Sequence, residues 1–193
     1  MGKVAWGFTS SIDGFLAGPG HDMSWFDALE PLPPGITERM ADAVGVIISG
    51  RDGYDAAKAQ QDERDEATAE AYGGAWSGTE FILTHRPEEL AGDPSVTALN
   101  CGVVEAVSRA REIAGEKDVQ IISADIARQA LEHGLIDELQ VFVAPVLLGD
   151  GIRIFDVPGG RRYDWELTGI IEGAERSFGR TYRPKRTAPG MTP

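Results

Sequence analysis

The chain has 193 residues, 42% of them hydrophobic, with 18 Lys and Arg against 31 Asp and Glu, one Cys and three His. At roughly 150 residues per domain, that length suits one large domain with a sizeable core. The net charge of −13 works against nucleic acid and anionic membrane surfaces, and a lone cysteine excludes an internal disulfide or a thiolate zinc cluster. No apolar run approaches the ~20 residues of a bilayer span, and Met1 to Ser10 lacks the make-up of a signal peptide, so a soluble, cytoplasmic protein is expected.

Short β-branched or aromatic runs alternate with helical patterns, which predicts crossover connections and a mainly parallel sheet. Val4 to Phe8 reads as the first strand. Thr37 can cap a helix running through Met40 and Ala43, and Val44 to Ile48 is so uniformly apolar that it reads as a strand covered on both faces. Asp62 to Tyr72 is rich in Ala, Glu and Asp and reads as a helix ended by Gly73-Gly74, followed by a short strand at Phe81 to Leu83. Asn100 can cap the most regular helix, in which Val103, Val104, Val107, Ala110, Ile113 and Ala114 recur at three- and four-residue spacing before Gly115. Val119 to Ile122, a helix from Asp125 to His133 and Leu139 to Val143 read as a βαβ unit. Leu167 to Ile171 and Ser177 to Tyr182 add an antiparallel C-terminal edge, and 184–193 reads as a flexible tail. The expected architecture is α/β: one domain over 1–183, three-layered, with a mainly parallel central sheet and helices on both faces.

Ligands of such sheets gather at the carboxyl ends of the strands, where helix N-termini favour phosphate. Three segments fall at such ends. Gly50 would let a backbone approach a ligand and Arg51 offers a planar fork for phosphate; the plainer reading is a strand-to-helix turn with a surface arginine. Ser123-Ala124-Asp125 would let a pyrophosphate reach the amides of the next helix, although Asp125 also reads as a simple N-cap. Thr84-His85-Arg86 brings a hydroxyl, an imidazole and a guanidinium to a third strand end, so that Arg51, His85 and Arg86 would form a positive spot in an acidic protein. G-x-S-x-G, Walker, H-E-x-x-H and G-x-G-x-x-G motifs are absent, and His21, His85 and His133 lie far apart, so no metal site is expected. His133, before Gly134, fits a helix C-terminus.

In this order, Ser11-Ile12-Asp13-Gly14-Phe15-Leu16-Ala17-Gly18, then Gly50-Arg51, then Leu131 to Leu139 running into Pro145-Val146-Leu147-Leu148-Gly149-Asp150-Gly151 with Ile154-Phe155, the chain resembles the dihydrofolate reductase-like superfamily. It is most similar to the branch that includes the C-terminal reductase domain of bacterial riboflavin biosynthesis. The resemblance spans about Lys3 to Arg183. It implies NADPH as cofactor and hydride transfer to a pterin-, pyrimidine- or flavin-like heterocycle. It also implies that Gly50 and Arg51 meet the adenosine phosphate, that Thr84, His85 and Arg86 lie on the adenosine side, and that Ser123, Ala124, Asp125 and Ile126 form the pyrophosphate turn. Leu16, Ala17 and Gly18, with Met23-Ser24-Trp25, correspond to the loop that covers the nicotinamide. The chain departs from the family at Asp52-Gly53, where a hydroxyl usually follows the arginine, and at Ser123-Ala124, where the turn is usually Gly-Gly or Gly-Ala.

A reductase must position the ring, exclude water and supply a proton. Asp13, Trp25 and Glu30 are the candidate catalytic residues. Asp13 leads because its motif is best defined, although Asp-Gly after a strand is also a turn signal, and Trp25 either covers the ring or fills core. Asp27 is a further carboxylate near the presumed cleft. A homodimer follows from the resemblance, and Val141-Phe142-Val143 is compatible with one. Two other readings stand beside the reductase: a non-catalytic or weakly active nucleotide- or flavin-binding protein on the same fold, and a flavin-dependent oxidoreductase.

Overall fold

The computed structural model describes residues 1–29, 32–61, 71–171 and 179–185. Its main sheet has eight strands, β1 (Val4–Ser10), β3 (Val44–Gly50), β4 (Thr79–Leu83), β5 (Val96–Leu99), β6 (Asp118–Ile121), β7 (Glu138–Val143), β9 (Trp165–Ile170) and β10 (Arg180–Pro184), in the order β5-β4-β3-β6-β1-β7-β10-β9. The first six in that order pair in parallel, while β10 runs antiparallel to both β7 and β9. A separate two-stranded ribbon joins β2 (Phe15–Ala17) to β8 (Ile152–Arg153). Among the described residues the α-helices are α1 (Ile36–Ala43), α2 (Arg51–Gln61), α3 (Val103–Ala114) and α4 (Ala124–Glu132).

Alternation along the strands separates two faces. Val4, Trp6, Val46, Ile48, Val119 and Ile121 join Val103, Ala106, Val107 and Ala110 of α3 and Ile126, Ala127 and Ala130 of α4 in one apolar core. Ala5, on the opposite face of β1, lines a smaller hollow beneath Ile36, Met40 and Ala43 of α1. In β3, Val46, Ile47 and Ile48 are all essentially inaccessible, as a strand covered on both sides requires.

Several local expectations change. α3 is capped by Gly102 rather than Asn100, because the latter lies in the loop that directly follows β5, a strand the sequence did not reveal. α1 starts at Ile36 after a left-handed Gly35 (φ 84°), which displaces Thr37 from the cap. Ser123, not Asp125, is the N-cap of α4; Asp125 sits in its first turn and bonds Arg128 and Gln129. β6 and β7 are parallel but not neighbours, since β1 lies between them, so Val141-Phe142-Val143 belongs to an interior strand and the edges of the sheet are β5 and β9. The helix expected over Asp62 to Tyr72 falls mostly outside the described residues; at its end, Ala71–Gly74 is a 3-10 turn in which Tyr72 is left-handed (φ 57°). The described part of the last strand is Arg180–Pro184, and the tail beyond 185 lies outside the description.

Candidate active site

A cleft of about 1650 Å³ opens at the carboxyl ends of β1, β3, β4 and β6. Stretches far apart in sequence build it, among them Gly7 to Thr9 with Leu16 and Ala17, Ser49 to Tyr54, Thr84 to Arg86, Ile122 to Ile126, and Asp150 to Ile154. Adjacent parallel strands ending at one level bring these turns together.

β3 runs directly into α2 at Gly50-Arg51 and β6 into α4 at Ser123-Ala124. The two helix entries lie so close that a Cβ on Gly50 would come within 3.0 Å of Ser123 Oγ. α4 has no side-chain cap, so amides of its first turn remain available to an anion at the positive end of the helix dipole. At the neighbouring turn, Arg51 Nε donates to both oxygens of Asp55 at 2.8 Å, and Nη1 lies 2.9 Å from Glu89 Oε2. That Nη1 is buried, with Glu89 as its ion-pair partner. Arg86 Nη1 donates to Glu89 Oε1 at 2.8 Å, and Thr84 Oγ1 accepts from the Arg86 amide at 3.1 Å.

The expected positive spot is therefore not observed. Arg51, Lys58, Arg86, Arg128 and Arg153 face the cleft, but so do Asp52, Glu80, Asp125, Asp150 and Asp156, and most of these cations are held in ion pairs. Charge balances locally because Arg51, Arg86 and Arg128 each sit about a helical turn from a carboxylate.

Of the twelve residues expected at a cofactor, Leu16, Ala17, Gly50, Arg51, Thr84, His85, Arg86, Ser123, Ala124, Asp125 and Ile126 line this one cleft. Gly18 stands just behind it, its backbone packed against Gly151. The candidates for proton chemistry are placed differently. Asp13 accepts the Ser11 hydroxyl at 2.6 Å, the Gly149 amide at 2.7 Å and the Leu148 amide at 3.2 Å. The Ser11 hydroxyl and then the Gly149 amide hold its pKa down at about 2, so it is a charged clamp on the Leu148-Gly149 turn, without a proton to give at neutral pH. Trp25 is buried and packs on Phe26 with ring centroids 4.3 Å apart, the core-filling arrangement; its neighbours Met23 and Phe26 reach the cleft instead. Glu30 and the side chain of Asp27 lie outside the described residues.

Two features were missed. Ser49, buried at the end of an apolar strand, donates to Glu80 Oε1 at 2.6 Å, and both line the cleft. A lone hydroxyl inside the Val44–Gly50 run was the available signal for Ser49; Glu80 needs the β3–β4 register, which sequence alone does not supply. The second is the wall formed by Ala71 and Trp76 to Gly78. Tyr72 Oη donates to the buried Gln120 and Trp76 Nε1 to the Val44 carbonyl at 2.9 Å, tying that wall to the sheet.

Residues 2–176 match the family of the RibD C-terminal domain. The chain belongs to that family. Among curated proteins it is similar to the uncharacterized protein YyaP of Bacillus subtilis strain 168, at 23% identity over 148 residues, covering 75% of this chain and 76% of the relative. Among solved structures it is similar to a putative riboflavin biosynthesis protein from Shewanella sp. PV-4 (TM-score 0.71, 20% identity, 95% of this chain and 99% of that one). It also resembles dihydrofolate reductase from Enterococcus faecalis complexed with NADP(H) (TM-score 0.58, 13% identity, 95% of this chain and 97% of that one). Acinetobacter baumannii RibD matches with TM-score 0.63 and 20% identity over 96% of this chain but 58% of its own. These likenesses establish a reductase-type fold of the dihydrofolate reductase kind. Among the described residues no helix is long and apolar enough to cross a membrane, and no group of His, Cys, Asp and Glu is arranged to hold a metal ion.

Proposed function

We propose that the chain is a reductase that uses a reduced nicotinamide dinucleotide, NADPH in the family resemblance, to reduce a pterin-, pyrimidine- or flavin-like heterocycle. One observation carries the reading: residues from four separated stretches, singled out for a dinucleotide, converge on one cleft at the carboxyl ends of parallel strands. The donor set suits such a ligand, with the open amides of α4, the Arg51 guanidinium on the cleft wall and the close approach at Gly50.

Bound reduced nicotinamide supplies the hydride. The chain's part is to hold and enclose the reactants. The first-turn amides of α4 would hold the pyrophosphate and Arg51 would orient the adenosine half. Leu16, Met23 and Phe26 would provide apolar walls that exclude water from the ring. Glu80, fixed by Ser49, is the carboxylate available to ring N–H donors of the heterocycle, and Thr9 adds a hydroxyl at the end of β1.

Titration with NADPH and with NADH, followed by nicotinamide fluorescence, tests this reading. Saturable binding is expected, together with nicotinamide oxidation that depends on an added heterocycle and is lost in Arg51→Ala. Absence of binding by either dinucleotide at about 1 mM would overturn it. Binding without heterocycle-dependent oxidation would leave a nucleotide-binding protein on a reductase fold.

A further inference from the structure

We infer that Asp93, which lies outside the cleft, is the positioning residue that latches α2 in place as a wall of the cleft. The effect on ligand affinity rests on the dinucleotide reading above; the latch itself does not.

α2 is attached to the sheet differently from the other helices. α1 buries Ile36 and Ala41, and α3 and α4 each bury an apolar stripe. Between Arg51 and Ala59, by contrast, α2 has no buried residue and gives nothing to the apolar core. A helix of 11 residues is marginal on its own, so contacts other than core packing must hold this one.

α2 offers a polar stripe instead. Arg51, Tyr54 and Lys58, spaced three and four apart, share one side of the helix, and each meets a carboxylate of the loop between β4 and β5. Arg51 Nη1 lies 2.9 Å from Glu89 Oε2, Tyr54 Oη donates to Asp93 Oδ2 at 2.5 Å, and Lys58 Nζ lies 3.2 Å from that same oxygen. Two of these contacts converge on Asp93. Its other oxygen accepts the Ser95 amide at 2.8 Å and the Ser95 hydroxyl, and its own amide donates to the carbonyl of buried Leu90 at 3.0 Å. The carboxylate is thus anchored beside β5 and reaches out to the helix.

The contacts are unequal. Lys58 is half-exposed and its ion pair adds little. The Tyr54–Asp93 bond is short, charge-assisted and partly buried, so it is the strong one. The Ser95 and Tyr54 hydroxyls hold the Asp93 carboxyl well below its usual range, while burial and then Asp93 push the Tyr54 hydroxyl up to about 12. The acceptor therefore stays charged and the donor keeps its proton across neutral pH. Tyr54, Ala56, Ala57 and Lys58 line the cleft, as does Ser95, but Asp93 does not. Releasing Asp93 would shift the wall without removing any group from it.

The test compares the full native chain with Asp93→Asn, which keeps an acceptor for the Ser95 amide, with Tyr54→Phe, which removes only the hydroxyl, and with Glu105→Gln, which breaks an exposed ion pair on α3. Amide hydrogen exchange across Arg51 to Ala59 should quicken about tenfold in the first two variants, with α3 unchanged in them, and stay native in α2 of the third. NADPH affinity should fall about fivefold in the same two variants, and saturating NADPH should restore their α2 protection, because a ligand that needs the wall in place draws it back. Unchanged α2 exchange in both variants overturns the latch. Faster α2 exchange with NADPH affinity unaltered overturns the positioning role in the cleft. A native chain that binds no dinucleotide overturns the reading above, and the exchange comparison still decides the latch.

Discussion

Gly151→Ala is the substitution with the sharpest structural consequence for the cleft. Gly151 has φ 134°, a region closed to side-chain-bearing residues, and its backbone packs against the end of β2. A Cβ there would lie 2.0 Å from the Ala17 carbonyl oxygen and 2.8 Å from Gly18 backbone atoms, where real Cβ contacts stay beyond 3.0 Å. β2 would have to retreat by about 1 Å from β8, disrupting the Ala17–Ile152 pairing, and no flexible side chain is available to move instead. Conformational strain of 1–3 kcal/mol and the backbone overlap together predict a loss of about 2–4 kcal/mol. Gly149→Ala is the matched control: φ is 77° with nothing within 4 Å of the new Cβ, so only the left-handed cost of about 1–2 kcal/mol is expected. Urea unfolding followed by tryptophan fluorescence measures both. A Gly151→Ala protein within about 0.5 kcal/mol of the native chain, or no more destabilised than Gly149→Ala, would refute the reasoning. Because Leu16 and Ala17 line the cleft, dinucleotide affinity should fall in Gly151→Ala as well.

Ile48→Ala, at a position with no accessible surface in the sheet centre, should cost about 2–5 kcal/mol in the same unfolding assay, and a loss below about 1 kcal/mol would contradict the packing described. Asp13 has a folded pKa of about 2 against an ordinary 3.8, so folding favours its charged form and its contribution is present above the higher value and lost as pH falls toward the lower. The stability gap between the native chain and Asp13→Asn should therefore narrow between about pH 5 and about pH 2, and a gap that stays constant across that range would show that the clamp on Leu148-Gly149 has no energetic role.

Elements carried by local pattern were legible in the sequence. The continuous apolar run Val44 to Ile48 became the covered central strand, and the three-and-four spacing from Val103 became α3. Helix starts were read less well, because Asn100 and Thr37 have capping side chains but each lies two residues from the glycine that takes the cap position. The adjacency of Gly50, Thr84 and Ser123 could be anticipated, since strand ends in a parallel sheet converge whatever the strand order. The state of the arginines could not. Glu89 is three residues from Arg86 but thirty-eight from Arg51, and only the fold shows that one carboxylate serves both. Asp13 was legible as a motif, but the turn it clamps was not, because its partners Leu148 and Gly149 sit 135 and 136 residues away.

The position of β1 between β6 and β7 carries a consequence for how the chain is made. Val4 pairs with Val119 and Trp6 with Leu139, so this interior strand of the parallel sheet precedes both of its partners by more than a hundred residues. Loop closure on that scale has to occur before either side of β1 finds its hydrogen bonds, which places this protein among slow, high-contact-order folders. During synthesis, the apolar segment Val4-Ala5-Trp6 waits with two open edges until both partner strands have emerged, and it is the stretch of this chain with the longest exposure to chaperones and to misassociation.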